Sequence, residues 1–417
     1  MTRIKAQEFI VETHDEFVSR VIRLLESGQT VETILMTMNM YILPGSLYDK
    51  LALAMIKAKK INGGRYELRF DKNFTNSRVV LPDGHYAMRV SLWDPQNWHK
   101  KAAPARITKQ NQIDYVDILV DSPSRFHDIP TNGNWARRVL SNHLMQGYAA
   151  NHAKSGVVKL KDGAELAALL SGEMVSDVKQ NNLSLVIKNN PQASMFIEKA
   201  TNPEAVVGSR GWAEEEIFPH GRLIVDYGNY GEPGQLSRVH DLAETLINPL
   251  HTTDAQQGEL PSCRPTNIIM VSQYVPTGRL FETLKLASIP EKQGGYGAHV
   301  LIPLEPEGDY RRNDFGFALM FRTFMSRKGK YIKTPTLTYP THVKCLIARY
   351  DDDSVSMIFG TDNFDSISDS MYRNTEINLF IDHAKKGDDG YRAVEQTIKK
   401  LAEIGDISDT ESKKFWR

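Results

Sequence analysis

The sequence predicts an α/β protein with two pseudo-symmetric lobes, each a mixed sheet flanked by helices. Three observations lead to this prediction: a strand–helix–strand pattern near the amino terminus, a second copy of that pattern late in the chain, and a length of 417 residues, which suits two or three domains or one domain doubled. Strands that alternate with helices are typical of α/β sheets. The matched order of elements at two places indicates an internal duplication.

The first copy follows a helix that a capping box at Thr13–Glu16 starts. A strand, an amphipathic helix, two glycines and a second strand come next, at residues 33–41, 47–60, 63–64 and 66–70. The second copy has the same elements in the same order, at residues 268–274, 280–287, 294–295 and 298–303. We therefore expect an amino-terminal lobe over residues 1–195, a crossover region over 196–262 and a carboxy-terminal lobe over 263–417.

Composition narrows the possible classes of function. The chain has 51 basic and 51 acidic residues, so its net charge predicts neither a nucleic-acid binder nor a trap for acidic substrates. The two cysteines, Cys263 and Cys345, cannot form a disulfide framework or a cysteine zinc site, which fits a reducing compartment. The first residues lack the apolar core of a signal peptide, and no apolar run of about 18 residues occurs. We expect a cytoplasmic protein that meets any lipid as a peripheral protein at the membrane surface.

A group of polar residues in the second half carries the strongest functional signal. His342 and Lys344 lie two residues apart in a strand-like stretch, so their side chains point to the same face. Gly360 and Asn363 follow the next strand, and Glu376 precedes another apolar run. Phosphodiester cleavage needs such groups: an imidazole attacks phosphorus or protonates the leaving oxygen, while ammonium and carboxamide groups bind the non-bridging oxygens, where charge concentrates in the transition state.

This pattern resembles the second half of phospholipase D superfamily members, which carry His-x-Lys, then Gly-[Ser/Thr]-x-Asn-Phe, then Asn-x-Glu before an apolar strand. The similarity covers residues 266–382. It implies one active site at the interface of two lobes, a substrate close to Gly360 and Thr361, and a reaction that requires no metal or other cofactor. It also implies that Glu376 orients the imidazole of the opposite half.

In the first half, the proposed partner of this motif is His152 with Lys154, which also have the His-x-Lys spacing. By the resemblance, His152 would attack phosphorus and form a phosphohistidine. His342 would protonate the leaving alcohol and then activate water or an acceptor alcohol. Lys154, Lys344 and Asn363 would supply the positive field around the phosphate.

Both halves depart from the family pattern. Val175 stands where the second half has Asn363, and three residues are open as its replacement: Ser171, Ser176 and Asn182. Further on, residues 182–187 parallel residues 375–380, which aligns Asn182 with Thr375. Lys159 and Arg349 stand where the pattern has aspartate. The tyrosyl-DNA phosphodiesterase branch of the family also lacks that aspartate, so its absence is compatible with activity.

Three further features have more ordinary interpretations. His220 imitates part of the motif, but it has Arg222 in place of lysine and is interpreted as an edge histidine of a strand. Asp351–Asp353 is interpreted as a solvated hairpin turn. Arg327 and Lys328 belong to a basic, aromatic stretch that either holds a phosphodiester beside the active site or forms a solvated loop.

The preferred interpretation is phosphodiester hydrolysis or transfer on a phospholipid, by a phospholipase D or a cardiolipin synthase-like phosphatidyltransferase. A nuclease or DNA-end-processing phosphodiesterase is the first alternative. A catalytically degenerate binding protein is the second. The sequence leaves the head group, the acceptor and the oligomeric state open.

Overall fold

The structure is a computed structural model of the chain. It describes residues 7–27, 30–38, 47–70, 78–80, 86–88, 118–121, 125–126, 148–149, 152–171, 181–228, 237–248, 263–272, 276, 278–304, 332–362, 364 and 375–417. Five residues named from the sequence lie outside the described residues: Val175, Ser176, Arg327, Lys328 and Asn363.

The described residues form strands and helices that alternate along much of the chain. The strands are β1 (Glu8–Thr13), β2 (Val31–Met38), β3 (Arg65–Phe70), β4 (Arg78–Val80), β5 (Tyr86–Met88), β6 (Leu119–Asp121), β7 (Arg125–Phe126), β8 (Tyr148–Ala149), β9 (Ser155–Leu160), β10 (Glu165–Leu170), β11 (Leu183–Lys188), β12 (Gly211–Phe218), β13 (Gly221–Gly228), β14 (Pro265–Val271), β15 (His299–Leu301), β16 (Ile332–Lys333), β17 (Cys345–Tyr350), β18 (Val355–Gly360) and β19 (Glu376–Ala384). The α-helices are α1 (His14–Glu26), α2 (Leu47–Asn62), α3 (Pro191–Ala200), α4 (Pro203–Gly208), α5 (Arg238–Ile247), α6 (Gly278–Ser288), α7 (Asp389–Glu403) and α8 (Asp409–Phe415).

Two large sheets share one topology. The first has the strand order β1-β11-β10-β9-β2-β3-β6, and the second has the order β12-β13-β19-β18-β17-β14-β15-β16. When the first order is read from β1 and the second from β13, the two orders correspond strand by strand, and β12 is the additional strand of the second sheet. Both sheets are mixed, because β2 pairs in parallel with β3, and β14 with β15, whereas their hairpin strands pair antiparallel. The predicted fold class is thereby confirmed.

The helix boundaries agree with those predicted from the sequence more closely in the first half than in the second. Thr13 and Glu16 form the predicted capping box at the start of α1, and α2 ends just before Gly63, whose φ of 66° is left-handed. The end of α6 differs: it ends at Ser288, and Gly294 instead closes a short 3₁₀ turn over Glu291–Gln293. The reason is Pro290, which restricts the residue before it to extended conformations and stops the helix early.

The segment that was expected to be a crossover contributes to the second sheet. Within residues 196–262, strand β13 pairs antiparallel with β19, and helix α5 follows β13 as α1 follows β1. A duplicated half therefore begins at β13 in the structure. The three-part division of the chain at residues 195 and 263 stays a prediction.

The two sheets pack against each other through a shared apolar core. Leu169 and Leu185 of the first sheet belong to the same buried cluster as Met357 and Leu379 of the second, and α3 and α7 pack on it. Each outer face is covered by two helices of its own half: α1 and α2 pack on the first sheet, and α5 and α6 on the second. Because both faces of each sheet are buried, its central strands are apolar along their length.

The segment after α7 ties the two halves together. Asp406 is buried, and its carboxylate accepts a hydrogen bond from Asn181 Nδ2 at 2.7 Å and another from Thr341 Oγ1 at 2.8 Å. Asn181 belongs to the first half and Thr341 to the second. Burial raises the pKa of Asp406 to about 6, although both hydrogen bonds oppose the rise.

Replacing Asp406 by asparagine is expected to remove a pH dependence of stability. The native state holds the Asp406 proton more tightly than the unfolded chain does, so this favourable contribution is complete below pH 3.8 and is lost as the pH rises through about 6. The free energy of unfolding of the wild type should fall relative to that of Asp406→Asn by up to about 1.4 kcal/mol per pH unit in this window. Urea denaturation at a series of pH values measures the difference, and a difference that does not change with pH would contradict the prediction.

Candidate functional site

The two His-x-Lys motifs occupy equivalent positions in the two halves. Residues 152–154 come directly before β9, and residues 342–344 come directly before β17. The His152 N–H donates to Thr375 O of the second half at 2.9 Å, and the His342 N–H donates to Asn181 O of the first half at 2.8 Å. Each motif is therefore held by the half to which it does not belong, and both lie along the interface of the two halves.

His152 forms a side-chain hydrogen bond across this interface. Its Nδ1 lies 2.7 Å from Glu376 Oε1, and the two residues are 8% and 7% exposed. When the Glu376 carboxyl is ionised it can only accept, so the proton of this bond then lies on Nδ1 of His152 and Nε2 keeps its lone pair. The structure thus brings His152 and Glu376 together as the sequence predicts. Whether they act in catalysis remains a proposal.

The two motif lysines are almost completely buried, each 1% exposed. Lys154 Nζ donates to the carbonyl of His152 at 3.1 Å, and Lys344 Nζ donates to the carbonyl of His342 at 3.0 Å. Lys344 also reaches into the first half and donates to Ser171 O at 3.0 Å. Backbone carbonyls therefore fix both ammonium groups close to their own histidines, at the interface.

Gly360 and Thr361 lie where β18 meets the start of β19. A Cβ at Gly360 would come within 2.3 Å of Ile377 O, so a side chain has no space there. The Thr361 hydroxyl is buried and accepts from the Ile377 N–H at 2.9 Å. Both residues hold β18 against β19, and their predicted contact with substrate stays a prediction.

The hydrogen bonds at these strand ends also align the two halves residue by residue. Leu170 N donates to Lys154 O, as Gly360 N does to Lys344 O. Ser171 Oγ accepts from Leu183 N at 3.1 Å, which is the same contact that Thr361 makes with Ile377. Ser171 is therefore the counterpart of Thr361, and Leu183 is the counterpart of Ile377.

This alignment identifies Asn182 as the counterpart of Glu376. Leu183 in β11 and Ile377 in β19 are the residues whose N–H donates to that hydroxyl. Asn182 and Glu376 each come directly before them. A comparison of the sequences alone aligns Asn182 with Thr375, one position away, because it relies on apolar residues whose spacing does not fix the register. The hydroxyl at Ser171, matched to Thr361, is the sequence signal that would have given the correct alignment.

A second buried histidine reaches the site from α5. His240 Nε2 lies 3.3 Å from Asp362 Oδ1, and both side chains are buried. Asp362 follows Thr361 and lies beside the start of β19, since its N–H donates to Asn378 Oδ1 at 3.4 Å. No pattern in the sequence predicted this pair, because α5 lies in the segment expected to be a crossover.

The charges around Glu376 favour a bound proton. Burial, and after it the Asp362 carboxylate, raises the pKa of Glu376 to about 8, and the Lys154 ammonium opposes this rise. Burial would also raise the pKa of Asp362, but His240, together with the Phe364 N–H and His152, lowers that pKa below its usual value. Asp362 thus stays ionised, whereas Glu376 keeps its proton until the pH rises past about 8.

The described residues limit two other kinds of site. They contain no group of three or more His, Cys, Asp or Glu side chains arranged to hold a metal ion. Within the same part of the chain, every helix is too short or too polar to cross a membrane. Cys263 and Cys345 are free thiols, and burial raises the pKa of Cys263 to about 11 and that of Cys345 beyond it.

Comparison with known proteins gives similarity in structure. No protein-family model and no curated protein matches the chain. The crystal structure of phosphatidylserine synthase from Haemophilus influenzae Rd KW20 is similar over 96% of this chain and 86% of that one, with a TM-score of 0.57 and 12% sequence identity. Polyphosphate kinase from Porphyromonas gingivalis matches 95% of this chain, with a TM-score of 0.47 and 12% identity. This chain spans 50% of the length of that kinase. Yeast tyrosyl-DNA phosphodiesterase matches over 91% of both chains, with a TM-score of 0.47 and 9% identity.

The similarity to the synthase extends over 96% of the chain and so includes both halves. It agrees with the duplicated topology of the two sheets. The chain shares its fold with that phosphatidylserine synthase.

Proposed function

We propose that the protein cleaves or transfers a phosphodiester through a phosphohistidine on His152, and that its substrate is a phospholipid. The observation that carries this proposal is the 2.7 Å hydrogen bond between His152 Nδ1 and Glu376 Oε1, in a buried site that also holds two lysines. A histidine oriented by a carboxylate is an activated nucleophile or base. Buried ammonium groups supply the positive field that a phosphoryl transition state needs.

The two histidines take different roles because their environments differ. Once ionised, the Glu376 carboxylate accepts the Nδ1 proton of His152 and makes its Nε2 more basic, which suits a nucleophile. The equivalent position in the other half carries Asn182, a carboxamide without charge. An imidazolium at His342 therefore gains no ionic stabilisation from that position and gives up its proton more readily, which suits a general acid.

The reaction then proceeds in two balanced steps. In the first, Nε2 of His152 forms a bond to phosphorus, the P–O bond to the leaving alcohol breaks, and His342 donates its proton to that oxygen. In the second, water or an acceptor alcohol transfers a proton to His342 as its oxygen bonds to phosphorus, and the P–N bond breaks. Lys154 and Lys344 stabilise the charge on the non-bridging oxygens in both steps.

Two observations support a phospholipid substrate. The fold is similar over 96% of the chain to a protein described as a phosphatidylserine synthase. The net charge of zero is unlike that of most proteins that bind nucleic-acid duplexes, which carry excess positive charge. An acceptor alcohol in the second step would make the protein a phosphatidyltransferase, and water would make it a phospholipase.

The first test of this function is to trap the phosphohistidine. Incubation with ³²P-labelled phosphatidylglycerol vesicles, quenched in alkaline detergent because phosphohistidine is labile in acid, should label the protein on His152. His152→Ala should abolish labelling and lower turnover by at least about 10³-fold. His220→Asn is the matched control, because His220 is exposed in a turn with a left-handed φ of 66° that asparagine tolerates. Labelling of the protein by a ³²P-labelled single-stranded oligonucleotide, and not by the lipid, would favour the nuclease alternative. A wild type that neither substrate labels would favour a binding protein.

The role of Glu376 is tested separately. Glu376→Gln keeps an acceptor for the Nδ1 proton but removes the charge that makes Nε2 basic. We expect the rate of phosphohistidine formation to fall by about 10²- to 10⁴-fold, with a much smaller change in KM. Rapid-quench kinetics measure this rate, and Glu216→Gln on the exposed edge of β12 serves as the control. An unchanged rate in Glu376→Gln would remove Glu376 from the mechanism.

A further inference from the structure

We infer that Asp406 is a positioning residue for His342, which it holds in place through Asn181 and Thr341. The inference rests on the proposed function only in giving His342 a proton-transfer role. Its structural part depends on the hydrogen bonds of one buried carboxylate.

Asp406 accepts hydrogen bonds from two residues that hold the backbone of His342 in place. Oδ2 accepts from Thr341 Oγ1, and Thr341 is the residue directly before His342. Oδ1 accepts from Asn181 Nδ2, and the carbonyl of Asn181 accepts from the His342 N–H at 2.8 Å. One carboxylate thereby fixes the two residues that hold the His342 peptide.

The hydrogen bonds continue beyond His342. Thr341 Oγ1 also accepts from the Val343 N–H at 3.1 Å, so the residues on both sides of His342 are anchored to one hydroxyl. The Asn181 N–H donates to Pro340 O at 2.8 Å, and Asn181 and Thr341 form a parallel bridge. Because Thr341 and Asp406 are almost fully buried, water does not compete for these contacts.

Among the residues that the structure describes, the arrangement is not repeated around His152. Helix α3 is the counterpart of α7, and the described residues that follow α3 make different contacts. Asn202, for example, caps α4 by accepting from the Glu204 N–H at 2.9 Å. Within the described residues, His152 is oriented through its side chain by Glu376, whereas the Asp406 contacts act on the backbone of His342. Loss of Asp406 should therefore affect His342 and leave His152 largely unchanged.

This difference predicts which chemical steps depend on Asp406. A leaving alkyl alcohol needs a proton from His342, whereas p-nitrophenol leaves without one because its anion is stable. With a phosphatidyl ester of p-nitrophenol, the first step should proceed normally in an Asp406 variant, and only the second should slow. With an ordinary phosphatidyl alkyl ester, both steps should slow.

Two variants and one control make the experiment specific. Asp406→Ala removes both contacts, whereas Asp406→Asn keeps an oxygen that accepts from Asn181 and an amide that donates to Thr341 Oγ1. Ser408→Ala is the control, because Ser408 is exposed two residues further on and caps α8 through the Glu411 N–H, away from the interface. If Asp406→Ala does not fold, Thr341→Val removes one of the two contacts in its place.

The kinetic result expected for Asp406→Ala is a loss of about 10- to 100-fold in turnover of the alkyl ester. Its burst of p-nitrophenol should keep the wild-type rate within about twofold, which corresponds to less than about 0.5 kcal/mol. Asp406→Asn and Ser408→Ala should behave as the wild type. Equal losses with both esters, or a full loss in Asp406→Asn, would overturn the positioning role.

A measurement without substrate separates this inference from the proposed function. Imidazole ¹⁵N resonances of His342 and His152 can be followed through a pH titration of ¹⁵N-histidine-labelled protein. The His342 resonances should change in Asp406→Ala and return to the wild-type titration in Asp406→Asn, while those of His152 stay unchanged. Unchanged His342 resonances in Asp406→Ala would refute the inference. A wild type that cleaves neither ester would refute the proposed function alone.

Discussion

The candidate site depends on hydrogen bonds that the two halves of the chain exchange at their interface. His152 donates its N–H to Thr375 of the other half, and His342 donates its N–H to Asn181. Neither half therefore contains a complete site. The register of these contacts follows from the antiparallel pairing of β11 with β10 and of β19 with β18, which fixes the residues that meet at the interface. Pairing of these strands therefore also positions the residues of the site.

The interface buries ionisable side chains, which proteins usually keep in contact with water. Lys154, Lys344 and Glu376 are each less than one-tenth exposed, and removing such groups from water costs several kcal/mol per ion before compensation. Carbonyls of His152, His342 and Ser171 recover part of that cost for the lysines. The raised pKa of Glu376 shows that burial of the carboxyl group is only partly compensated. Such an arrangement is typical of a site retained for chemistry and not for stability.

Much of the fold could be predicted because its signals are local. The capping box at Thr13, the helix end at Gly63 and the apolar strand over 345–350 each reflect a few neighbouring residues, and the repeated order of elements gave the two halves. The contact of Glu376 with the imidazole of the other half was also predicted, from the motif that contains it. The contacts of His240 with Asp362, and of Asp406 with Asn181, were not, because they join residues more than 100 positions apart that share no pattern in the sequence. The counterpart of Glu376 was missed by one position, because apolar spacing alone does not define register.

The most direct test of this account is the tautomer of His152 in the free protein above about pH 8, where the Glu376 carboxyl is ionised. The ¹⁵N–¹H spectra of histidine-labelled protein distinguish a proton on Nδ1 from a proton on Nε2. The account predicts the Nδ1–H form, with a downfield proton resonance typical of a short hydrogen bond that disappears when Glu376 is replaced by alanine. A His152 that carries its proton on Nε2, or whose spectrum is the same without Glu376, would contradict the contact on which the proposed chemistry rests.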